Sequence, residues 1–255
     1  MIRALSIIAP VTELIYHLDA YVKGFEARVV ESGPDGIALD RTAFFPGGGG
    51  QPHDSGTLRW DGQVGQVVAM KRGPLHLLAE GDPLPPIGAT VQGELDWARR
   101  HALMRAHTAL HILCGVIWRD HGASVTGGSM DVGQARMDFE LERMSGDFAA
   151  EVEEKVNAEI AAAREVRVRV LPRAEAFAIP DLIRTKINLL PPGIEEVRTV
   201  EIVGLDLQAD GGTHVANTRH VGRVRVTGHE SKGKINKRLR IAIEDPARPT
   251  PKQSD

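Results

Sequence analysis

The sequence contains one cysteine among its 255 residues, Cys114. A single thiol excludes an internal disulfide framework and a cysteine-rich metal knuckle. Aromatic residues make up only 4% of the chain, so a broad aromatic platform for stacking single-stranded RNA is not expected. The apolar runs are shorter than the roughly 20 residues that span a bilayer, and the N-terminal segment lacks the pattern of a signal peptide. These absences predict a cytoplasmic protein that binds no membrane.

The charge is nearly balanced, with one local exception. The net charge of −3 argues against a protein that coats nucleic acid through bulk positive charge. The exception is a late segment in which Glu230 is the one acidic residue among seven basic ones: Arg223, Arg225, Lys232, Lys234, Lys237, Arg238 and Arg240. This patch could meet phosphate groups, or it could be a solvated sheet edge on which lysines discourage aggregation.

Residues 1–95 have the pattern of a small β domain. Turn signals such as Gly33–Gly36, Pro46–Gly50 and Asp61–Gly62 divide them into short apolar segments that leave no room for a helix of usual length. The pattern changes at Asp96, a candidate helix N-cap, after which apolar residues recur at steps of three and four as far as Trp118. We therefore predict a barrel or sandwich over 1–95 and a domain boundary near residue 95.

Residues 96–245 mix helical and strand patterns. Ala135–Leu141 alternates apolar and polar side chains, whereas Phe148–Arg164 has the composition of an amphipathic helix, and further strands are predicted near Val166, Val197, Val221 and Leu239. Because helices and strands do not alternate regularly, the fold class is predicted to be α+β rather than a parallel doubly wound sheet. The tail at 246–255 is predicted to be disordered.

The first candidate for chemistry is a pair of histidines on the predicted helix. His107 and His111 are four residues apart, so they lie on one helix face, about one turn from each other. Two imidazoles placed in this way can hold one metal ion. The spacing is equally typical of two half-buried helix histidines with no ligand. There is no glutamate after the first histidine, which excludes the metalloprotease motif.

The second candidate is the segment that runs from Asp206 to His214. A short strand pattern ends at Gly211–Gly212, and Asp210 and His214 flank this break. With His107 and His111 they could form a zinc site of three nitrogens and one oxygen, although Asp-Gly is more often a polar turn. Cys114 lies seven residues after His107, a rise of roughly 10.5 Å, so we interpret it as a core residue rather than a ligand.

A run of four glycines forms the third candidate, in the segment Phe44–Pro52. It is not a nucleotide-binding loop of the Walker type, because no Gly-Lys-Ser/Thr follows. Without side chains, the backbone N–H groups of Gly47–Gly50 can approach a ligand closely. A flexible hairpin tip is the alternative, but four successive glycines carry an entropic cost that a plain turn does not require.

Together, four segments resemble one family. FFPGGGGQP, DWxRRxxxMRxHTALH, GGTHVANT and SKGKxNKRLRI occur in this order between Phe44 and Ile243. They resemble the AlaX family of free-standing alanyl-tRNA editing proteins, of the medium-length type, and the editing part of alanyl-tRNA synthetase. The resemblance implies an N-terminal β-barrel followed by an α+β editing domain of the threonyl/alanyl-tRNA synthetase type.

The resemblance also implies one zinc ion, held by the helical histidine pair and a Cys-x₃-His pair. His107, His111 and His214 match this set, but Asp210 occupies the cysteine position. Aspartate is an acceptable although harder zinc ligand, which would leave a weaker and more Lewis-acidic centre. Alternatively, water or Gln208 completes the ligand shell in place of Asp210.

The implied activity is deacylation in trans of mischarged alanine tRNA, with Ser-tRNA and possibly Gly-tRNA as substrates. The expected oxyanion turn is Gly211, Gly212 and Thr213, with zinc activating water. The expected substrate-binding residues are Gly48, Gly49, Gly50, Gln51 and Thr126, the last as the hydroxyl that recognises serine. The expected tRNA contacts are Arg105, Lys232, Lys234, Lys237 and Arg238. The alternatives are a deacylase with another amino-acid specificity, such as for threonyl-tRNA, and a non-catalytic tRNA-binding module with a structural metal.

Overall fold

The structure, a computed structural model, describes residues 12–71, 73–186, 190 and 193–245. The described chain divides into two compact units. One contains residues 12–48 and 52–100, and the other contains residues 49–51 together with the described residues from 101 onward. The predicted domain limits at residues 95 and 245 stay predictions, and the tail at 246–255 lies outside the described residues.

Short strands make up most of the first unit. Its described strands are β1 (Glu13–Leu14), β2 (Gly24–Gly33), β3 (Gly36–Leu39), β4 (Arg41–Thr42), β5 (Gly56–Trp60), β6 (Gln63–Lys71), β7 (Leu75–Leu78) and β8 (Thr90–Leu95). Six of them close into a barrel in the order β2-β3-β7-β6-β5-β8, and β1 pairs in parallel with β4. The predicted barrel is confirmed.

Alternation between buried and exposed side chains along each strand explains how the barrel encloses its core. In β2, Phe25, Ala27 and Val29 point inward and are buried, while the residues between them are exposed, as the period of two requires. The turn between β5 and β6 is Asp61–Gly62, where both residues have positive φ angles of 43° and 76°. Two such residues form the type of two-residue turn that matches the twist of a hairpin.

Helices and longer strands form the rest of the chain. The division between the units falls inside α1 (Trp97–His121). The elements that follow are β9 (Val125–Asp131), β10 (Gln134–Glu140), α2 (Gly146–Ala161), β11 (Val166–Pro172), α3 (Arg173–Phe177), β12 (Glu196–Ile202), β13 (Asp206–Ala209), β14 (Arg223–Ser231) and β15 (Asn236–Glu244).

Two antiparallel sheets organise the second unit. One has four strands in the order β14-β15-β10-β9, and the other has three in the order β11-β12-β13. Helix α2 protects the β14 edge, because Asn157 accepts a hydrogen bond from the backbone N–H of Val224 at 3.0 Å and donates one to its carbonyl at 2.8 Å. Helices next to antiparallel sheets confirm the predicted α+β class.

Helix α1 is the central element of this unit. Its N-cap is Asp96, as predicted, because the Asp96 carboxylate accepts the backbone N–H of Arg99 at 3.1 Å. From Leu103 to Ile117 every residue except Arg105 is buried, which is typical of a core helix rather than of one at the surface. Within the described residues, no helix is long and apolar enough to cross a bilayer.

Candidate metal centre and active site

The site begins with two histidines on α1. His107 and His111 project from the same helix face, and their rings lie 5.1 Å apart between centroids. Both are buried, with exposures of 4% and 6%. Buried imidazoles require polar partners, so the identity of these partners determines what the pair can do.

A loop after β13 brings a third imidazole and a carboxylate to this pair. The His214 ring stacks on His107 at 4.2 Å and lies 4.6 Å from His111. One Asp210 carboxylate oxygen lies 3.0 Å from Nε2 of His214, and the other lies 3.6 Å from Nε2 of His107. Gly212 permits this approach, since a Cβ there would overlap Cε1 of His107.

The four side chains form a set suitable for a metal ion. Ligand atoms of His107, His111, Asp210 and His214 all lie within 4.8 Å of one another. Three imidazole nitrogens and a carboxylate oxygen match the donors that zinc accepts in four-coordinate sites. Cys114 is buried and outside this set, which confirms its prediction as a core residue.

Each histidine is oriented through its other ring nitrogen. Nδ1 of His107 lies 2.9 Å from the amide oxygen of Gln51. Nδ1 of His111 lies 2.9 Å from Oδ2 of Asp206, and Nδ1 of His214 lies 3.2 Å from the Thr108 hydroxyl. Each of these oxygens can accept a proton from Nδ1, and in that tautomer all three Nε2 atoms are left for a metal ion. Outer hydrogen bonds of this kind accompany metal-binding histidines in general, so the residues present fit zinc.

The environment favours the protonation states of metal ligands. Burial lowers the pKa of His107 well below its ordinary value and lowers the pKa of His214 to about 4. Burial acts in the same direction on His111, but the hydrogen bond to Asp206 and the charges of Asp206 and Asp210 together outweigh it and raise the pKa of His111. Burial would raise the pKa of Asp210, yet His107 and His214 hold it well below its usual range. The neutral imidazoles of His107 and His214 facing an ionised carboxylate are ready to bind a cation, and a bound cation would have to displace the proton that the raised pKa favours on His111.

Asp210 is held in place by the loop itself. Its backbone N–H donates to the Arg198 carbonyl at 3.1 Å, and the Arg198 guanidinium donates to the Asp210 carbonyl at 2.8 Å. The Asp210 carboxylate accepts the backbone N–H of Gly212 at 2.7 Å. The alternative ligand Gln208 is engaged elsewhere, because its amide donates to Asp206 at 2.7 Å and to the Cys114 sulfur at 3.4 Å.

The site opens into a cavity of about 580 Å³ within the second unit. His107, His111 and Asp210 line it. Its apolar wall is formed by Leu110, Val125, Met130, Met137, Leu182 and Leu190. Its polar and glycine-lined parts include Gly49, Gly50, Thr126, Gly127, Gly128, Arg184, Thr185, Lys186 and Gly211. A largely apolar cavity with a few polar groups at one end is the usual form of a small-molecule site.

The residues predicted to bind substrate have different positions. Gly49 and Gly50 line the cavity, whereas Gly48 belongs to the first unit. Gln51 is buried and holds His107 and Thr213 rather than lining the cavity. Thr126 lines the cavity, and its hydroxyl donates to the side-chain oxygen of Asn236 at 2.9 Å. Substrate binding by these residues stays a prediction. The position of Gln51 indicates instead that its side chain orients His107, a candidate metal ligand.

Two of the three backbone N–H groups in the predicted oxyanion turn already form hydrogen bonds within the protein. The N–H of Gly212 donates to Asp210, and the N–H of Thr213 donates to the Gln51 amide oxygen at 3.0 Å. These two N–H groups are therefore not available to a substrate in this structure. Among the described residues no partner meets the N–H of Gly211, which lines the cavity. Of the three residues predicted to stabilise an oxyanion, Gly211 is therefore the remaining candidate.

The predicted tRNA contacts divide into two groups. Arg105 donates to the carbonyls of Val221 and Glu244, both at 2.7 Å, and Arg238 forms a two-point hydrogen bond with Asp138. Lys237 is buried and donates to the Gly233 and Lys234 carbonyls. Lys232 and Lys234 are exposed at the turn between β14 and β15, where Lys232 also pairs with Glu230. The geometry therefore favours only the two exposed lysines as phosphate contacts.

Sequence reasoning did not identify the residues that support the ligands. Asp206 and Thr108 orient His111 and His214, and Arg198 fixes the loop of Asp210. Asp206 follows the alternating pattern of Leu205–Gln208, which predicted a strand but not that the Asp206 carboxylate would be buried. No signal in the sequence indicated Thr108, because threonine inside an apolar helix has no distinctive pattern.

Comparisons with known proteins identify the family of this chain. Residues 197–240 match the family model described as the threonyl and alanyl tRNA synthetase second additional domain. A protein of Saccharolobus solfataricus named "Alanyl-tRNA editing protein AlaX-M" is 39% identical over 91% of this chain and 99% of its own length. A protein of Methanosarcina barkeri with the same name is 37% identical over 92% of this chain and 100% of its own length.

A longer protein is also similar. An "Alanine--tRNA ligase" of Pyrobaculum neutrophilum is 35% identical over 85% of this chain, but the match covers only 25% of the ligase. The alignment with the editing proteins, in contrast, spans nearly the whole of both chains. This chain belongs to the AlaX family of alanyl-tRNA editing proteins.

Proposed function

We propose that this chain hydrolyses the ester between a wrong amino acid and the terminal adenosine of alanine tRNA, acting in trans. The expected substrates are Ser-tRNA and, with it, Gly-tRNA. One observation carries the proposal: three imidazoles and a carboxylate converge at one end of a cavity, in a chain whose relatives are named alanyl-tRNA editing proteins.

Selection by size explains the need for such an activity. An amino-acid pocket built for the methyl group of alanine rejects smaller glycine, or serine with one added hydroxyl, by only about 10–200-fold. A second, hydrolytic site is required where translation needs greater accuracy. A separate deacylase supplies it without changing the aminoacylation site.

We propose that His107, His111, Asp210 and His214 hold one zinc ion. When bound, zinc supplies a Lewis acid that polarises the ester and promotes attack by water. The chain itself contributes orientation: Gln51, Asp206 and Thr108 fix the three imidazoles. The N–H of Gly211, which has no hydrogen-bond partner among the described residues, can donate to the ester oxygen as its charge grows.

The substrate is large, but only its end needs to enter the cavity. The exposed Lys232 and Lys234 can contact phosphates of the acceptor stem, because phosphate contacts position a nucleic acid without reading its sequence. The net charge of −3 is compatible with such a local contact. Lys237 and Arg238 would support this surface through their internal hydrogen bonds, whereas Arg105 is bonded at the opposite end of the β14–β15 hairpin.

The test combines a metal assay with a panel of charged tRNAs. The purified protein should contain about one zinc per chain by mass spectrometry, and it should deacylate Ser-tRNA and Gly-tRNA but not Ala-tRNA. His107→Ala should abolish deacylation and lower the zinc content. His121→Ala, an exposed histidine on the same helix, should change neither and serves as the matched control.

The panel also separates the alternatives. Preferential hydrolysis of Thr-tRNA would replace the proposed specificity with another deacylase activity. Tight tRNA binding without hydrolysis of any ester would indicate a non-catalytic module. Full activity in His107→Ala would overturn the zinc-centred mechanism.

A further inference from the structure

Arg184 lines the same cavity as the candidate metal ligands, and its side chain is only 11% exposed. Its guanidinium nitrogens Nε and Nη1 are buried, and neither has a hydrogen-bond partner among the described residues. Buried N–H donors are normally paired, because losing contact with water without a new acceptor is costly. The stability of the fold alone therefore does not explain an arginine at this position.

Two other arginines show how this protein uses the guanidinium group for structure. Arg238 donates to the carboxylate of Asp138 through Nε and Nη2, both at 2.7 Å. The buried Arg100 donates to the Asp54 carboxylate through Nε at 3.0 Å, and its terminal nitrogens donate to two backbone carbonyls. Both arginines thus have acceptors on several sides within the protein, whereas the guanidinium of Arg184 has none among the described residues.

The charged neighbour of Arg184 is Asp206. Nη1 of Arg184 lies 3.1 Å from Oδ1 of Asp206, but no hydrogen bond joins the two atoms, and Oδ1 is itself buried without a hydrogen-bond partner in the described chain. The other oxygen, Oδ2, lies 2.9 Å from Nδ1 of His111 and accepts the amide of Gln208 at 2.7 Å. The charge of this one carboxylate is therefore shared, and it neutralises Arg184 only in part.

The guanidinium group is held so that one of its nitrogens stays accessible. Its central carbon lies 5.2 Å from the centre of the Trp118 ring, a distance at which arginine interacts with an aromatic face. The backbone is fixed as well, because the Arg184 carbonyl accepts the N–H of Val125 at 2.9 Å. With Trp118 over one face and Asp206 beside Nη1, the nitrogen that is not buried is Nη2. This nitrogen can donate to a ligand in the cavity.

The balance of charge at this end of the cavity favours an anion. A divalent ion at the candidate metal centre, together with Arg184, carries more positive charge than the carboxylates of Asp206 and Asp210 can neutralise. Lys186 also lines the cavity, but it is already paired with Glu140 at 2.6 Å. Arg184 is therefore the better placed of these two basic side chains to receive a negatively charged group.

We propose that Arg184 binds the 5′-phosphate of the terminal adenosine and so fixes the position of the ester at the metal centre. The inference rests on the proposed function and identifies a residue that binds its substrate. A single carboxylate, Asp206, separates the guanidinium from the ring of His111, so an anion on Arg184 lies near the metal centre without being its ligand.

The chemistry of the substrate identifies the phosphate as this anion. In an aminoacylated adenosine the ester and the base are neutral, and the free amino group is cationic. The 5′-phosphate, one ribose away from the ester, is the nearest negative group. Arginine suits it, because the planar guanidinium donates charge-assisted hydrogen bonds to phosphate oxygens.

The experiment compares two stable analogues, 3′-deoxy-3′-(serylamino)adenosine and its 5′-monophosphate, in which an amide replaces the ester. Calorimetry measures the affinity of the zinc-loaded protein for each. The parent protein should bind the monophosphate about 10–100-fold more tightly, the effect of hydrogen bonds to a charged group. Arg184→Met should remove most of this preference. Arg184→Lys keeps a positive charge beside Asp206 and should retain part of it.

Arg167→Met is the matched control. Arg167 is an exposed arginine on β11 that pairs with Glu165 at 2.7 Å and does not line the cavity. This variant loses the same charge and should keep the preference of the parent protein for the monophosphate. An equal loss of preference in Arg167→Met would mean that the net charge of the protein causes the effect, and the proposal would fail.

The ratio of the two affinities separates phosphate binding from a structural role of Arg184. If Arg184→Met weakens binding of both analogues by the same factor, and chelator competition shows weaker zinc binding, then Arg184 only supports Asp206 and the proposal is wrong. The amino-acid product offers a second anion, its carboxylate. If Arg184→Met weakens binding of free L-serine but leaves the preference for the monophosphate unchanged, the arginine faces this carboxylate, and the proposal is also wrong.

These outcomes are distinct from failure of the proposed function. A parent protein that prefers the monophosphate through Arg184 but hydrolyses no charged tRNA would leave the phosphate site in place and overturn the deacylase activity. A parent protein that hydrolyses Ser-tRNA but binds the two analogues equally would overturn only the phosphate site.

Discussion

The amide oxygen of Gln51 lies 2.9 Å from Nδ1 of His107 and also accepts the backbone N–H of Thr213. The Gln51 amide nitrogen donates to the Thr213 hydroxyl at 2.8 Å. One glutamine thereby connects the histidine on α1 to the loop that carries His214. The glycine-rich segment thus contributes a structural support for the candidate metal ligands as well as part of the cavity wall.

Gln51→Leu is expected to weaken zinc binding by about 10–100-fold, since it removes the acceptor that orients His107. Gln51→Glu retains an oxygen acceptor and should be less affected. The measurement is competition with a zinc chelator, with Gln92→Leu, an exposed barrel glutamine, as the control. An unchanged affinity in folded Gln51→Leu would contradict the proposed support role.

Asp210 is expected to be a zinc ligand. Asp210→Asn should lower the affinity for zinc because it removes the anionic oxygen, whereas Asp210→Cys should bind zinc through a thiolate. Cobalt substitution provides the readout: a thiolate-to-cobalt charge-transfer band should appear only in Asp210→Cys. If Asp210→Asn retains the parent affinity, Asp210 does not coordinate the ion.

Thr126 is expected to select serine through its hydroxyl group. Thr126→Val should reduce the preference for seryl over alanyl esters by about tenfold, the effect of removing one hydrogen bond, and Thr126→Ser should restore it. Deacylation rates of the two esters give the measurement, with Thr227→Val on β14 as the control. The same preference in parent and Thr126→Val would remove Thr126 from recognition.

Lys232 and Lys234 are expected to contact tRNA phosphates. Replacing both with alanine should weaken tRNA binding and reduce the slope of log affinity against log salt by about 0.7–0.9 for each phosphate that a lysine had neutralised. Replacing Arg59 and Lys71 on the barrel surface removes the same charge and controls for net-charge effects. A lower affinity with an unchanged slope would argue against direct binding of phosphates by these lysines.

His76 gives a prediction about stability that is independent of the metal site. Burial lowers its pKa to about 4, although the hydrogen bond to the Ile37 carbonyl at 3.0 Å acts in the opposite direction. The ring also lies 2.8 Å from the Thr42 hydroxyl. In the unfolded chain, His76 takes up a proton near pH 6.5. The contribution of the neutral buried ring to the free energy of unfolding is therefore complete above that pH, and it is lost as the pH falls from about 6.5 to 4.

The loss amounts to about 3 kcal/mol across this window, at 1.36 kcal/mol per pKa unit. Urea unfolding at pH 7 and at pH 4.5 measures it, and His76→Gln should show a smaller decrease than the parent protein. His229→Gln on β14 is exposed and serves as the control. Equal decreases in parent and His76→Gln would show that other groups cause the acid sensitivity.

The local elements could be predicted from the sequence because local patterns determine them. The steps of three and four residues predicted α1, and Asp96 caps it as expected. Turn residues divided the first unit into strands, which close into the expected barrel. The helical period also placed His107 and His111 on one face, and the rise per residue excluded Cys114 as their partner.

The residues that orient the candidate metal ligands could not be predicted in the same way. Asp206 is buried beside His111 although 95 residues separate them, and Gln51 reaches Thr213 across 162 residues. Nothing in the local pattern of either residue indicates its partner. Likewise, a basic side chain has the same appearance in the sequence whether it is exposed, as Lys234 is, or buried, as Lys237 is.

The sequence by itself therefore determined the secondary structure and the types of ligand available, since periodicity and side-chain chemistry act over a few residues. Only the tertiary structure decided that the Gly211–Gly212 corner meets α1, and that the N–H groups of Gly212 and Thr213 in the predicted oxyanion turn are already hydrogen-bonded to Asp210 and Gln51. Each of these depends on packing between segments far apart in the chain, where the burial of one group fixes the partner of another.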